Sequence, residues 1–238
     1  MNLFDQFFDQ PLDGPDAEAV TEPAALLHTV VIDDRQLVAL DRSRDRPVAV
    51  TVINSTGAGG ITALAGRTLT NCRLAAVQNT VRDPGDPIGA IARIAAAARE
   101  LDPEVTVLVD IPDGYGFQDA VAAAEAEGLT AYTGQAAADR LATRLSGFVE
   151  ADLPFVVDGV DSAAAVIGLL AAVDSLIDDG DGDRARDLLA GTDHDQQAAA
   201  ITGWDDSRMG RVRRRLRAIR TRSLPAVLSD LDDLGLGH

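Results

Sequence analysis

Pro47-Val-Ala-Val-Thr-Val-Ile-Asn54, followed at once by Ser55-Thr-Gly57-Ala-Gly-Gly60, is the stretch on which the fold turns. Its apolar positions run on without alternating, as in a strand covered on both faces, and a glycine-rich turn then opens a helical pattern. The same unit recurs. Val105-Thr-Val-Leu-Val-Asp110 leads into Pro112-Asp-Gly114, and Pro154-Phe-Val-Val-Asp158 leads into Gly159. Working outward, the pattern predicts strands over 28–32, 48–54, 73–79, 105–111, 129–133 and 154–158. Helices are predicted over 34–40, 59–67, 87–101, 116–127, 136–150 and 162–177. Ile88, Ile91, Ile94, Ala95 and Ala98 recur at helical spacing and mark the third of these most clearly.

Past Ile177 the rhythm breaks. Asp178-Asp-Gly-Asp-Gly-Asp183 reads as a solvated interhelical turn, since a calcium loop begun at Asp179 meets Arg184 and Ala190 where Gly and Glu are required. Helices at 184–190 and 205–218, a short strand near 218–222 and a last helix at 225–233 complete the chain. The fold class expected is α/β, a modified (β/α)8 (TIM-like) barrel, with a doubly wound parallel sheet as the alternative. Residues 1–26 read as an N-terminal helix and connector, and 27–238 as a single α/β barrel domain. Leu3, Phe4, Phe7 and Phe8 supply an apolar side to that helix, either to plug one end of the barrel or to dock a partner.

The net charge of −17 over 238 residues argues against nucleic acid and anionic membranes as partners. All 21 basic residues are Arg, and 31 of the 38 acids are Asp. Without lysine there is no lysine Schiff base, which excludes lysine-dependent aldolases and ordinary pyridoxal enzymes. Cys72 is alone, so an internal disulfide is impossible, and its place at a strand start makes it a structural thiol. No stretch reaches the length of a signal or membrane span, and a cytoplasmic location is the expectation.

In a barrel the residues just past each strand converge on one face. Here these are Asp33 and Asp34, Asn54 and Ser55, Gln78 and Asn79, Asp110 and Asp113, Tyr132 and Thr133, and Asp158 and Asp161. Asp110 and Asp158 end buried strands and are the candidate catalytic groups, as a general acid/base or as ligands for Mg²⁺ or Mn²⁺. The opposing reading is that Asp is simply favoured in loops and helix caps. Asn54, Thr133, Arg220 and Arg222 are the candidate substrate-binding residues; no metal site is assigned, and the cofactor is unknown. The Ser55–Gly60 turn could cradle an anion, but Thr62 replaces the third glycine of a dinucleotide fingerprint. His28, His194 and His238 read as structural, capping and terminal, respectively.

Leu74-Ala-Ala-Val77 with Arg82-Asp83, Tyr132-Thr-Gly-Gln135, Pro154-Phe155 and Asp233-Leu-Gly-Leu236 carry a likeness. Through them the chain from about Leu27 onward resembles an uncharacterised bacterial family of predicted TIM-barrel-like proteins. In that family one strand ends Arg-Thr-Gly-Gly, the next reads Pro-Phe-Lys-Ala-Thr-Ala-Gly-Leu-His-His, and a Ser-Phe-Gly-Ser-Cys-Ser segment follows. The resemblance implies the barrel fold and an enzyme ancestry. The departures fall on the cationic groups. Val156 stands for the Lys, Asp161 for a His, Tyr132 for the Arg and Gln135 for the last Gly, and Ile219-Arg-Thr-Arg-Ser223 replaces the serine-rich segment. An activity cannot be carried across those changes.

The segment 205–222 holds eight Arg and two Asp, a local charge of +6. Met209, Val212, Leu216 and Ile219 form an apolar stripe along it. The Arg residues could pair with the chain's own Asp, pair with another copy in a homo-oligomer, hold a phosphate or carboxylate, or dock an acidic protein partner. RNA is disfavoured because no aromatic residues are interleaved. The expected function is therefore a cytoplasmic barrel of enzyme ancestry binding a small anionic metabolite, as a metal- or carboxylate-assisted lyase or isomerase. The alternative is a degenerate, non-catalytic barrel acting as a protein-binding or assembly module.

Overall fold

A computed structural model describes residues 3–12, 25–134, 136–191 and 193–236. Gln135, His238 and most of the Pro11–Pro23 connector lie outside them. The strands are β1 (Phe8–Pro11), β2 (Leu27–Asp33), β3 (Val48–Ile53), β4 (Cys72–Thr80), β5 (Thr106–Asp110), β6 (Thr130–Thr133), β7 (Phe155–Asp158) and β8 (Leu216–Arg220). All eight neighbouring pairs are parallel, and β8 closes on β1 through Phe8 opposite Ile219 and Asp9 opposite Arg220. The chain is a closed (β/α)8 barrel, and the doubly wound alternative is excluded.

Helices follow the strands: α1 (Leu37–Ser43), α2 (Ala58–Ala65), α3 (Pro87–Ala98), α4 (Phe117–Ala126), α5 (Ala138–Glu150) and α6 (Ala163–Asp179). Between β7 and β8 come three more, α7 (Gly182–Ala190), α8 (His194–Thr202) and α9 (Asp206–Arg215), and α10 (Leu224–Asp233) closes the chain. An interhelical turn falls within Asp178–Asp183 as expected, but it is only Gly180-Asp181, with the flanking residues in helix: Gly180 ends α6 at φ 66°, and Asp181 caps α7 by accepting from Arg184 N.

The start of the barrel differs from the sequence expectation. Leu3–Gln6 form turns, and Phe8 opens β1, so the described residues before 27 supply a strand and not a helix. Phe4, Phe7 and Phe8 pack on one another with centroids 5.7–6.1 Å apart, all buried in the main core. Rings buried in this way contribute about 2 kcal/mol each to folding and are not available to dock a partner.

The main core lies between the barrel and its helices. A second, separate apolar cluster holds Ala76, Leu108, Val156 and Ala218 with Tyr132 against it. These come from five consecutive strands and form a layer inside the barrel. Strand side chains alternate, so two residues further on the same face carries Gln78, Asp110, Asp158 and Arg220. The lumen is thus apolar and small at mid-height and polar toward the strand C-termini.

Candidate functional site at the C-terminal mouth

Arg220, the last residue of β8, is 1% exposed. Its Nη1 donates to Gln78 Oε1 at 2.7 Å and lies 3.5 Å from Asp158 Oδ2. Its Cζ sits 4.9 Å from the Tyr132 ring centroid, and Tyr132 donates its phenol proton to Asp158 Oδ2. Burial, then the bond to Asp158, pushes the Tyr132 phenol well above its ordinary pKa, so it stays a neutral donor. Four strands, β4, β6, β7 and β8, thereby bring a cation, a carboxylate, a phenol and an amide together. Arg220 Nε and Nη2 have no hydrogen-bond partner although both are buried. Leaving buried charged donors unmet costs at least about 1–3 kcal/mol each, an unusual condition for an arginine inside a barrel.

The other candidates divide. Asp110 faces Arg144, which lies 3.4 Å from its Oδ1, and Arg144 also pairs with Asp113, which in turn takes Arg140. Burial raises the Asp110 pKa against the pull of Arg144. At Asp113 burial also raises, but Arg144 and Arg140 outweigh it, and the result is lowered. Arg144 is itself buried between Phe117 and Phe148, at 5.6 and 5.7 Å from their centroids. Asp110 therefore stands at the mouth but shares its cation with a structural network, whereas Asp158 belongs to the Arg220 cluster.

Asn54 is fully engaged in holding its own loop. Its Nδ2 donates to Gly57 O and Asn79 Oδ1, and its Oδ1 accepts from Thr56 N and Oγ1. Ser55 N donates to Asp34, and Gly60 N to Gly57 O, so the N–H groups at 55, 56 and 60 of the glycine-rich turn are met from within. Thr133 is buried, with its hydroxyl 3.4 Å from Gly134 O. Arg222 is exposed, and its N–H and the Thr221 hydroxyl both donate to Asp161 Oδ1, which ties the β8–α10 loop to the β7–α6 loop. Asp33 pairs with Arg35 at the surface. Among the described residues no three His, Cys, Asp or Glu side chains are arranged to hold a metal ion.

Sequence reasoning missed Arg144, although a signal existed: an Arg one turn from both Leu141 and Phe148 on the apolar side of a helix has to find a partner. It also missed Asp9, a 1% exposed carboxylate in β1 whose Oδ1 accepts from Thr29 Oγ1 at 2.6 Å and lies 3.0 Å from His28 Nδ1.

No family model matches the chain, and no curated protein does. Among solved structures, a dihydropteroate synthase from Stenotrophomonas maltophilia with imidazole bound in its active site is similar at 15% identity. That alignment covers 99% of this chain and 94% of that one, with a TM-score of 0.35. The barrel assignment rests on the strand pairing itself. No helix among the described residues is long and apolar enough to cross a membrane.

Proposed function

We propose that the C-terminal mouth binds a small metabolite carrying a phosphate or carboxylate, and that Arg220 receives the anion. The observation that carries this is the pair of buried donors, Nε and Nη2, left without acceptors on a guanidinium already fixed by Gln78 and Tyr132. An oxyanion presents two oxygens to two such N–H groups at once, which supplies geometry as well as charge. Asp158 and Tyr132 would then hold one proton between a carboxylate and a neutral phenol beside the bound group. That pair suits acid/base transfer at a carbon next to the anion, the step common to lyases and isomerases of such substrates.

Near-UV difference spectroscopy tests the binding step, because the Tyr132 ring lies over the guanidinium. Inorganic phosphate or acetate should perturb the tyrosine band of the wild type. The signal should vanish in Tyr132→Phe, and Arg220→Met should bind at least tenfold more weakly. A wild-type spectrum that neither anion changes, or an Arg220→Met variant with unaltered affinity, would overturn the reading.

A further inference from the structure

The Arg-rich segment is not uniform. Arg208 pairs with Asp174 and Arg211 with Asp178, both on α6, and Arg215 pairs with Asp152. Those three neutralise the chain's own acids. Arg213, Arg214 and Arg217 form no ion pair among the described residues, and all three turn to the opposite end of the barrel. There they rim a cavity of about 750 Å³.

The cavity exists because of what fills the lumen. A barrel interior is ordinarily packed with bulky branched side chains. Here Thr51 within β3 and Thr106 and Thr130, which open β5 and β6, line the tube, and the floor is the mid-height layer of Ala76, Leu108 and Val156. The threonines above that floor are too small to close the tube, so it opens at the strand N-termini. The walls present hydroxyls, and Asp9 is held on Thr29 and His28, with Thr29 Oγ1 2.7 Å from Thr51 Oγ1.

The rim is positioned rather than loose. Arg213 lies 4.1 Å from the Phe7 ring centroid and donates to Asp5 O at 3.1 Å, Gln6 O at 3.4 Å and Arg217 O at 3.2 Å. It thus fixes the junction of α9, which carries Arg214, with β8, which carries Arg217. Burial and the neighbouring Arg217 charge lower its pKa to about 10, as expected where cations crowd without enough anions. Two carboxylates face the three guanidiniums, Asp5 at the rim and Asp9 in the wall.

We propose that this N-terminal mouth is a second ligand site. It would take a small polar molecule whose phosphate or carboxylate lies between Arg214 and Arg217 and whose hydroxylated body enters the threonine-lined lumen. The site is separate from the C-terminal mouth, from which the apolar mid-height layer divides it. Its failure and that of the Arg220 reading are distinguished by different residues.

His28 lines the cavity and is partly exposed, so its imidazole resonances, assigned with His28→Gln, report on this mouth. Titrating the full chain with inorganic phosphate, and separately with acetate, should move them saturably with at least one anion. The phosphate arm identifies a phosphate-bearing ligand, the acetate arm a carboxylate. The double variant Arg214→Glu/Arg217→Glu changes exposed side chains and should fold; it should weaken binding at least tenfold, while Arg220→Met leaves the His28 response intact. A His28 signal unmoved by both anions, or moved with the same midpoint in the double variant, overturns the proposal.

Discussion

Arg220 and Tyr132 meet cation to ring face, 4.9 Å apart, on strands β8 and β6. The contact explains how a guanidinium can be buried with two donors unmet. The ring supplies part of the electrostatic compensation, worth up to about 2 kcal/mol when desolvated. Gln78 and Asp158 supply the rest.

That balance leads to a stability prediction. Arg220→Met keeps most of the volume, removes the unmet donors, and leaves Asp158 bonded to Tyr132 in a partly solvated position. Replacing buried ionic groups by apolar ones of similar size is often neutral or stabilising. Urea denaturation of the unliganded variant should therefore show a loss of no more than about 1 kcal/mol. A loss near the roughly 3–5 kcal/mol typical of a broken buried pair would mean that Arg220 is a structural cation.

The barrel was legible because strands buried on both faces advertise themselves as unbroken apolar runs, and β3, β5 and β7 carry such runs. Strand β1 was not, because Phe8-Asp-Gln-Pro11 is too short to show a period and carries polar groups that point into the lumen. Helix α8 was missed for a related reason: His194–Thr202 buries only Ala198 and Ile201, too weak a stripe to read. At the site, Asp158 was legible as a strand end and Arg220 as a cation of the Arg-rich segment. Asn54 looked equally good, yet whether an amide faces a ligand or its own loop depends on side-chain partners that residue type does not encode. The partition of the Arg segment depended on α6 lying alongside it, a tertiary fact.

Tyr132 should make stability fall in strong alkali. Its pKa in the folded chain lies above the ordinary 10.0, so the folded state holds the phenol proton more tightly than the unfolded state. The contribution is complete below pH 10 and is lost as pH rises from there toward the folded-state value. Midpoints in urea measured across this range should decline more steeply for the wild type than for Tyr132→Phe. Parallel curves would mean that the phenol is solvated.

Arg144 should matter far more than its neighbour Arg140. The Arg144 side chain is 7% exposed and packed between two rings, whereas Arg140 is 63% exposed, although both reach Asp113. Arg144→Met should cost about 2 kcal/mol, below the usual figure for a buried pair because Asp110 and Asp113 can hydrate once freed. Arg140→Met should cost less than about 0.5 kcal/mol. Equal effects in chemical denaturation would show that the ring packing around Arg144 is not formed.

Cys72 should resist alkylation. Burial, then the nearby Asp41 carboxylate, raises its thiol to about 11, and Asp41 is itself held in place by N–H groups of Thr70, Asn71 and Cys72. At pH 8 only about one molecule in a thousand carries the thiolate that reacts. Iodoacetamide should label the native chain at least a hundredfold more slowly than the urea-unfolded chain. Comparable rates would place the start of β4 in solvent.

Gly60 should not tolerate a methyl group. A Cβ there would stand 2.0 Å from Asn54 Oδ1 and 2.2 Å from Thr56 Oγ1, the pair that closes the loop after β3. Alanine ordinarily favours a helix over glycine by about 1 kcal/mol, but the clash reverses the sign and should give a net loss of about 1–3 kcal/mol. Asn54 supplies two of the three closest contacts and Thr56 the other, so the effect should depend in large part on the Asn54 side chain. In an Asn54→Ala background, where Asn54 Oδ1 is gone, Gly60→Ala should cost at least about 1 kcal/mol less, a coupling that a double-mutant cycle reads directly. Strict additivity would mean that the loop is held by something other than the Asn54 amide.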